Sequence, residues 1–187
     1  QGEDRYRWLD RKANTVKKTL FSFIIAQHEG ILDWLGTLPF VDEERIGLYG
    51  LSYGGEVAIR VPAVSERYAV AICSGDFGQW TRKVADVHFP SSFMNTREWE
   101  MPYFNMGNTF SYAELAYLIF PRAFMVERGH FDRVHTDEWV GYEYGKVNYL
   151  YNLYNKGSKS AIEYFNGGHA MRNAGTFDFL RKQLDWP

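Results

Sequence analysis

The stretch that decides the fold is residues 45–55, which read RIGLYGLSYGG. Its first five residues form a short, apolar and β-prone segment, which predicts a buried strand. Helical periodicity follows over residues 56–60, and Pro62 is expected to kink or end that helix. Between the two elements, residues 50–54 match the pattern G-x-S-x-G. The sequence therefore predicts a strand, a sharp turn that carries Ser52, and a helix.

Ser52 is a candidate nucleophile because of this turn. A tight strand-to-helix turn lifts the serine hydroxyl above the edge of the sheet. Gly50 and Gly54 are expected to be required, since the turn brings the backbone close to its neighbours and leaves no room for a Cβ atom. The backbone N–H of Tyr53, at the start of the helix, is then expected to point at an oxyanion that develops next to Ser52.

Strands and helices alternate along the rest of the chain. The predicted strands cover residues 68–73, 123–127 and 161–165, and the predicted helices cover residues 13–35, 138–154 and 175–184. Alternation at this spacing implies right-handed crossovers and a parallel sheet with helices on both faces. We therefore expect an α/β fold, with residues 1–187 forming a single domain. His28, on the apolar stripe of the first helix, is predicted to be a hydrogen-bonded core histidine.

A serine hydroxyl is a weak nucleophile until an imidazole accepts its proton, and His169 is the best-placed histidine for that role. It lies in a glycine-rich loop just past the last predicted strand. A base that follows a G-x-S-x-G serine in chain order is expected at that position. His88, His130 and His135 fit less well, because all three precede that strand. We predict that His169 is the general base.

The imidazole needs a carboxylate to hold its tautomer and to stabilise its cation. Asp132 lies on the loop after the preceding predicted strand, which gives the chain order serine, acid, histidine. Asp76, just after an earlier strand, is the reserve acid. Glu127 is a third candidate, although it could equally be a structural ion-pair partner of Arg122 or Arg128.

Five side chains between residues 130 and 138 allow a different interpretation, a metal site. Nitrogen and oxygen ligands at such spacings can converge on one ion, and the group consists of His130, Asp132, His135, Asp137 and Glu138. An arginine inside the group disfavours a cation there, and no second cluster completes a coordination sphere. We therefore predict no metal and no other cofactor.

Composition and charge exclude several classes of partner. The 21 basic and 23 acidic side chains leave a net charge of -2 without long blocks of like charge, so neither nucleic acid nor a membrane is an expected partner. Cys73 is the only cysteine, which excludes an intramolecular disulfide and a cysteine-rich metal site. Residues 1–10 contain no signal peptide and do not begin with Met, so the compartment stays open and we expect the N-terminus to be incomplete.

Aromatic residues are concentrated between residues 77 and 111. We expect this segment to form a cap over the site, with Trp80, Trp99 and Tyr103 shaping the substrate pocket. Packing beneath a long loop is an equally good interpretation of the same residues.

Residues 41–55, which read VDEERIGLYGLSYGG, resemble one branch of the α/β-hydrolases. That branch contains dienelactone hydrolases, acetyl xylan esterases and prolyl-oligopeptidase-like catalytic domains. Residues 113–122, followed by the glycine-aspartate loop over residues 129–132, are similar to the branch's approach to its acid. The resemblance covers the chain from Leu32 to its end.

The resemblance implies that Ser52, Asp132 and His169 act as nucleophile, acid and base, and that Tyr53 supplies one oxyanion donor. Members of the branch have several strands before the nucleophile strand, and a loop among them carries the second oxyanion donor. This chain has room for only one helix there. We therefore expect an α/β-hydrolase fold that lacks its N-terminal strands and presents an unpaired sheet edge, through which chains could associate.

The functional expectation is hydrolysis of a small-molecule or carbohydrate ester through an acyl-Ser52 intermediate. A serine peptidase of the prolyl-oligopeptidase type is the enzymatic alternative. A third hypothesis is a binding protein that keeps the fold without turnover. The missing strands favour that hypothesis, whereas the complete set of nucleophile, acid and base argues against it.

Overall fold

The computed structural model describes residues 5–186; the remaining residues of the predicted single domain, 1–4 and 187, lie outside the description. Its strands are β1 (Gly47–Leu51), β2 (Val70–Ser74), β3 (Ala123–Gly129) and β4 (Ser160–Phe165). Its helices are α1 (Arg5–Asn14), α2 (Leu20–Gly36), α3 (Tyr53–Val64), α4 (Trp80–Ala85), α5 (Tyr112–Ile119), α6 (Asp137–Leu153) and α7 (Gly175–Leu184). Short 3-10 turns cover Glu43–Arg45, Met106–Asn108 and Gly157–Lys159. Among these described helices, none combines the length and the apolar character needed to cross a bilayer.

The four strands form one parallel sheet in the order β1-β2-β3-β4. Because parallel strands all end at the same edge, the loops that carry Ser52, Asp76, Asp132 and His169 leave the sheet on one side. β1 is the first strand in this order, so its outer edge has no strand partner within residues 5–186. The topology gathers the predicted site residues at one edge of the sheet.

The strands send alternate side chains into two apolar layers, one on each face of the sheet. One layer packs against α3, α5 and α6, and its strand residues are Ala71, Cys73, Phe124 and Val126. The other layer packs against α7, and its members include Val70, Ile72, Ala123, Met125 and Phe179. Every residue of β2 and β3 is buried, as expected for parallel strands that are covered on both sides. The predicted parallel sheet with helices on both faces is confirmed.

The first predicted helix is divided in two, so its predicted start at residue 13 is wrong. α1 ends at Asn14 and α2 begins at Leu20. The N–H of Thr19 donates to Ser22 Oγ (3.1 Å), and the N–H of Leu20 donates to Asp10 Oδ1 (3.0 Å). These bonds satisfy N–H groups that have no partner inside a helix at its first turn, and they stabilise a new helix start.

His28 of α2 is half-buried, and its ring is hydrogen-bonded as predicted. Its Nδ1 lies 2.7 Å from the hydroxyl of Tyr68. Burial lowers the pKa of this imidazole, while nearby Glu29 acts in the opposite direction. The side chain therefore stabilises the contact between α2 and the segment before β2.

Pro62 is expected to kink or end α3, and the helix does not end there, because it continues to Val64. A proline at this place lacks the backbone N–H that would donate to the carbonyl four residues earlier, so it weakens the last turn of α3 without ending the helix. The carbonyl of Val61 is satisfied by the N–H of Ser65 (2.8 Å) just beyond the helix.

α5 has no counterpart among the predicted helices. Its start carries a recognisable signal, because Ser111 and Glu114 form the first and last residues of an S-x-x-E capping pattern. The N–H of Ser111 donates to Glu114 Oε2 (2.8 Å). At eight residues the helix is too short for periodicity to reveal it.

Candidate active site

Ser52 stands at the turn between β1 and α3 in a backbone conformation that is rare outside glycine. Its φ is 59° and its ψ is -121°, values that a side-chain-bearing residue adopts only under strain. Its N–H donates to the carbonyl of Ser74 at the end of β2 (2.9 Å). The hydroxyl makes no capping hydrogen bond to α3, so it is not engaged by the helix.

Two glycines allow this turn to pack closely. A Cβ at Gly50 would lie 2.0 Å from the carbonyl oxygen of Gly54, and a Cβ at Gly55 would lie 2.6 Å from that of Ser74. A Cβ at Gly54 would meet nothing within 4 Å. The prediction that Gly54 has no room for a side chain is therefore wrong, and Gly55 carries that requirement instead.

Tyr53 is the first residue of α3. The first N–H groups of a helix have no intrahelical partner, and the helix dipole makes this end positive. The ring of Tyr53 stacks on Phe21, with 6.0 Å between the ring centroids. A backbone N–H held in this way can bind the oxyanion of a tetrahedral intermediate on Ser52.

Asp132 and His169 form an acid–base pair. His169 Nδ1 lies 2.8 Å from Asp132 Oδ2, and Asp132 is only 5% exposed. The other carboxylate oxygen accepts the N–H of Val134 (2.9 Å), and Arg128 Nη1 lies 3.7 Å from Oδ2. A carboxylate held this firmly fixes the imidazole with Nδ1 protonated and leaves Nε2 free to accept a proton.

Gly75 brings the imidazole close to the serine turn. This residue follows Ser74, has a φ of 68°, and would place a Cβ 3.1 Å from His169 Nδ1 and 2.8 Å from Leu51 Cδ1. The His169 ring therefore packs against Gly75, which directly follows Ser74, the residue whose carbonyl accepts the N–H of Ser52. Within the described residues the Ser52 hydroxyl and the His169 ring form no direct hydrogen bond. Such bonds are often long in free enzymes and shorten when substrate binds.

Asp76, the reserve acid, has other partners. Its two oxygens lie 3.4 Å from Lys83 Nζ and 3.3 Å from the hydroxyl of Tyr112. Burial raises the pKa of Asp76, and the charge of Lys83 opposes that rise. Its hydrogen bonds thus belong to a buried polar cluster and not to His169.

Glu127, the third candidate, accepts four hydrogen bonds in the middle of the sheet. The donors are the hydroxyls of Tyr49 and Ser74 and the backbone N–H groups of Arg172 and Asn173. The alternative in which Glu127 pairs with Arg122 or Arg128 is wrong, because both arginines have other partners. Arg122 donates to backbone carbonyls, and Arg128 pairs with Asp137.

A cavity of about 160 Å³ opens beside Ser52. Most of its lining is polar, and the lining residues are Ser52, Tyr53, Glu56, Asp76, Lys83, Ser91, Thr96, Glu98, Met101 and Val134. The hydroxyls of Tyr53 and Thr96 are buried without a hydrogen-bond partner. The space next to the serine therefore suits a small polar group.

Trp80, Trp99 and Tyr103, the predicted pocket residues, do not line this cavity. Trp80 is 2% exposed and belongs to the main core. Trp99 is 65% exposed and lies under the guanidinium of Arg7, 5.2 Å from its ring centroid. Tyr103 packs against the guanidinium of Arg60 (4.6 Å). Sequence reasoning missed the polar lining because it searched this segment for aromatic residues.

The family model described as "Prolyl oligopeptidase family" matches residues 7–186. The chain belongs to the prolyl oligopeptidase family. No curated protein sequence matches the chain significantly. The family relationship agrees with the resemblance that the residues around Ser52 carry.

Several solved structures resemble this family member in fold. A carbohydrate esterase family 15 glucuronoyl esterase from Caldicellulosiruptor kristjansonii is 19% identical, with a TM-score of 0.67 over 87% of this chain and 48% of that chain. Acetyl Xylan Esterase 1 from Thermoanaerobacterium sp. JW/SL YS485 is 20% identical, with a TM-score of 0.59 over 88% of this chain and 54% of that chain.

A peptidase has the same fold. Acylaminoacyl peptidase from Pyrococcus horikoshii is 18% identical, with a TM-score of 0.54 over 83% of this chain and 24% of that chain. The chain thus spans about half the length of the two esterases and about a quarter of the peptidase. The family model and these structures thus agree on a fold of the α/β-hydrolase type.

The side chains between residues 130 and 138 that were considered as metal ligands have separate partners in this member of the prolyl oligopeptidase family. His130 Nδ1 lies 2.6 Å from Asp137 Oδ2, whereas Asp132 binds His169. His135 is buried on a different side, with its Nε2 3.4 Å from Asp76 Oδ1. Across residues 5–186, no group of three or more histidine, cysteine or acidic side chains could hold a metal ion.

His135 is expected to make the stability of the protein depend on pH. Burial lowers the pKa of this ring well below its usual 6.5, and the charge of Lys83 lowers it further. The unfolded chain therefore binds a proton below pH 6.5 that the folded chain does not, so stability is complete above pH 6.5 and falls with acidification. Acidification from pH 6.5 to pH 5 should therefore progressively remove the contribution of this ring to stability.

Urea denaturation at pH 7 and pH 5 measures this loss. Burial raises the pKa of Glu56 to about 7, and this group changes stability in the opposite direction over the same range. His135→Gln should therefore make stability fall less on acidification than it does in the wild type, whereas the matched variant of the exposed His88, His88→Gln, should keep the wild-type difference between the two pH values. An unchanged pH dependence in His135→Gln would contradict the assignment.

Proposed function

We propose that this chain carries the active site of a serine hydrolase that cleaves carboxylic esters through an acyl-Ser52 intermediate. The observation that carries the proposal is the 2.8 Å hydrogen bond between His169 Nδ1 and a buried Asp132 oxygen, at the sheet edge where Ser52 occupies its strained turn. Any of these features alone would be unremarkable. Their meeting at the carboxyl ends of parallel strands favours catalysis.

The reaction follows from the position of each group. His169 Nε2 accepts the proton of Ser52 as the hydroxyl oxygen attacks the ester carbonyl. The N–H of Tyr53 donates to the oxyanion, and Asp132 stabilises the imidazolium. His169 then gives its proton to the leaving alcohol as the bond from the acyl carbon to oxygen breaks. Water, activated by the same imidazole, releases the acid and restores Ser52.

A small-molecule or carbohydrate ester is the proposed substrate. The cavity beside Ser52 holds about 160 Å³ and has a polar lining, which fits a short acyl group better than a long aliphatic one. The two esterases that share this fold are named for a glucuronoyl ester and an acetyl ester of xylan. These names support an ester in which one side is a sugar.

A serine peptidase is the second candidate, and membership of the prolyl oligopeptidase family favours it. The same nucleophile, base and oxyanion donor serve an amide as well as an ester, so the geometry of the three groups does not separate the two reactions. Turnover of an acetyl ester compared with that of a prolyl amide does.

The test is labelling with a fluorophosphonate, followed by peptide mass spectrometry. We expect one adduct, on the peptide that contains Ser52, and faster turnover of the acetyl ester than of the prolyl amide. An adduct on a different residue would overturn the site. Faster turnover of the amide would make the protein a peptidase, and absence of any adduct would favour the binding-protein hypothesis.

A further inference from the structure

Glu127 is a buried carboxylate that contacts both halves of the proposed site. It lies on β3, between the strands that lead to Ser52 and His169, and it is 1% exposed. We propose that Glu127 is a positioning residue that holds the His169 loop at a fixed distance from the Ser52 turn. This inference rests on the proposed function and concerns the geometry of the same site.

One carboxylate oxygen of Glu127 binds the two strands next to the Ser52 turn. Oε2 accepts the hydroxyls of Ser74 (2.6 Å) and Tyr49 (2.8 Å), which belong to β2 and β1. The carbonyl of Ser74 in turn accepts the N–H of Ser52 (2.9 Å). The next residue, Gly75, donates its N–H to the Glu127 carbonyl (3.1 Å). The strand end beneath Ser52 is thus bound to Glu127 by both side chain and backbone.

The other carboxylate oxygen of Glu127 binds the loop that follows His169. Oε1 accepts the N–H groups of Arg172 (3.1 Å) and Asn173 (3.3 Å), three and four residues after His169. The loop before His169 is anchored separately, because the N–H of Phe131 donates to the Gly167 carbonyl (2.9 Å). Loss of the carboxylate would therefore release only the anchor through Arg172 and Asn173.

A buried carboxylate must be compensated by hydrogen bonds or an ion pair, because its charge is costly to remove from water. Within residues 5–186 Glu127 forms no ion pair, and Arg172, whose N–H it accepts, pairs its guanidinium with Glu163 (3.3 Å). Four donors on two oxygens therefore balance the charge of Glu127. A neutral amide cannot accept at all four places, so this arrangement requires a carboxylate.

The role matters because Ser52 and His169 are not bonded to each other directly. Their separation depends on the elements that carry them, and Glu127 joins those elements. A misplacement of about 1 Å between reacting groups can lower a rate about a hundredfold. We expect Glu127→Gln to slow fluorophosphonate labelling of Ser52 by between about tenfold and a hundredfold.

Two measurements on the whole protein test this role. The first is the labelling rate, compared with Val147→Ala, which removes buried volume in α6 away from the site and controls for lost stability. The second is the downfield proton NMR signal of the His169–Asp132 hydrogen bond, assigned by its absence in Asp132→Asn. The signal should broaden or disappear in Glu127→Gln and persist in Val147→Ala.

The outcomes separate the two proposals. Equal labelling of Glu127→Gln and wild type with an unchanged signal overturns the positioning role, as does equal slowing in Val147→Ala. If the wild type is not labelled, the proposed function fails, and the NMR signal still decides about Glu127. If Glu127→Gln does not fold, the double variant Tyr49→Phe/Ser74→Ala replaces it. That variant should label several-fold more slowly, and an unchanged rate would also overturn the role.

Discussion

Replacement of Ser52 by alanine is expected to abolish labelling by a fluorophosphonate and to lower kcat for an ester at least about 10⁴-fold. In the proposed reaction the hydroxyl oxygen is the atom that forms the acyl bond, and alanine has no group that can take its place. The expected change in stability is small, because the hydroxyl caps no helix and alanine meets the same backbone strain as serine. Labelling and ester turnover, measured beside urea denaturation, check both parts.

The matched control for this substitution is Ser158→Ala. Ser158 is exposed and lies in the 3-10 turn before β4, at the opposite end of the strands from the site. Its variant should label and turn over like the wild type. Continued labelling of Ser52→Ala would show that the nucleophile has been assigned wrongly.

Asp132→Asn is expected to lower kcat by about 10³- to 10⁴-fold with little change in KM. An asparagine can present its NH₂ group to His169 Nδ1, which favours the tautomer with the proton on Nε2. That nitrogen then cannot accept the proton of Ser52. The loss of charge also removes the stabilisation of the imidazolium. Steady-state kinetics on the acetyl ester measure the effect.

Two neighbouring carboxylates provide controls for Asp132→Asn. Asp137 lies at the start of α6 and pairs with Arg128 and His130 without touching His169, so Asp137→Asn should keep most of the activity. Asp76→Asn tests the reserve acid. A larger loss of kcat in Asp76→Asn than in Asp132→Asn would reverse the assignment of the acid.

Much of the fold could be predicted because its signals are local. The strand before Ser52, the strand after it and the helix at residues 175–184 follow from short apolar runs and helical periodicity. The division between α1 and α2 could not be predicted in this way, because it depends on the carboxylate of Asp10 reaching the N–H of Leu20 across ten residues. The periodicity of apolar residues carries no information about hydrogen bonds of this kind.

The roles of the buried carboxylates were the least predictable part of the site. Glu127 and Asp76 both follow the expected pattern of an acid near a strand end, yet they bind different groups. Glu127 binds the His169 loop through Arg172 and Asn173, which lie 45 and 46 residues away along the chain. Position along the chain cannot distinguish these partners, since each depends on which loops pack above the strand.

The residues that carry the proposed chemistry, and the order of elements that brings them to one sheet edge, could be identified before any coordinates were known. A G-x-S-x-G turn and alternating apolar segments are local patterns, and parallel strands must end on the same side. Only the tertiary structure decided that Asp132 is the carboxylate bonded to His169, that a polar cavity adjoins Ser52, and that Glu127 joins the two halves. These depend on contacts between residues far apart in the chain, which form only once the sheet and its loops are packed.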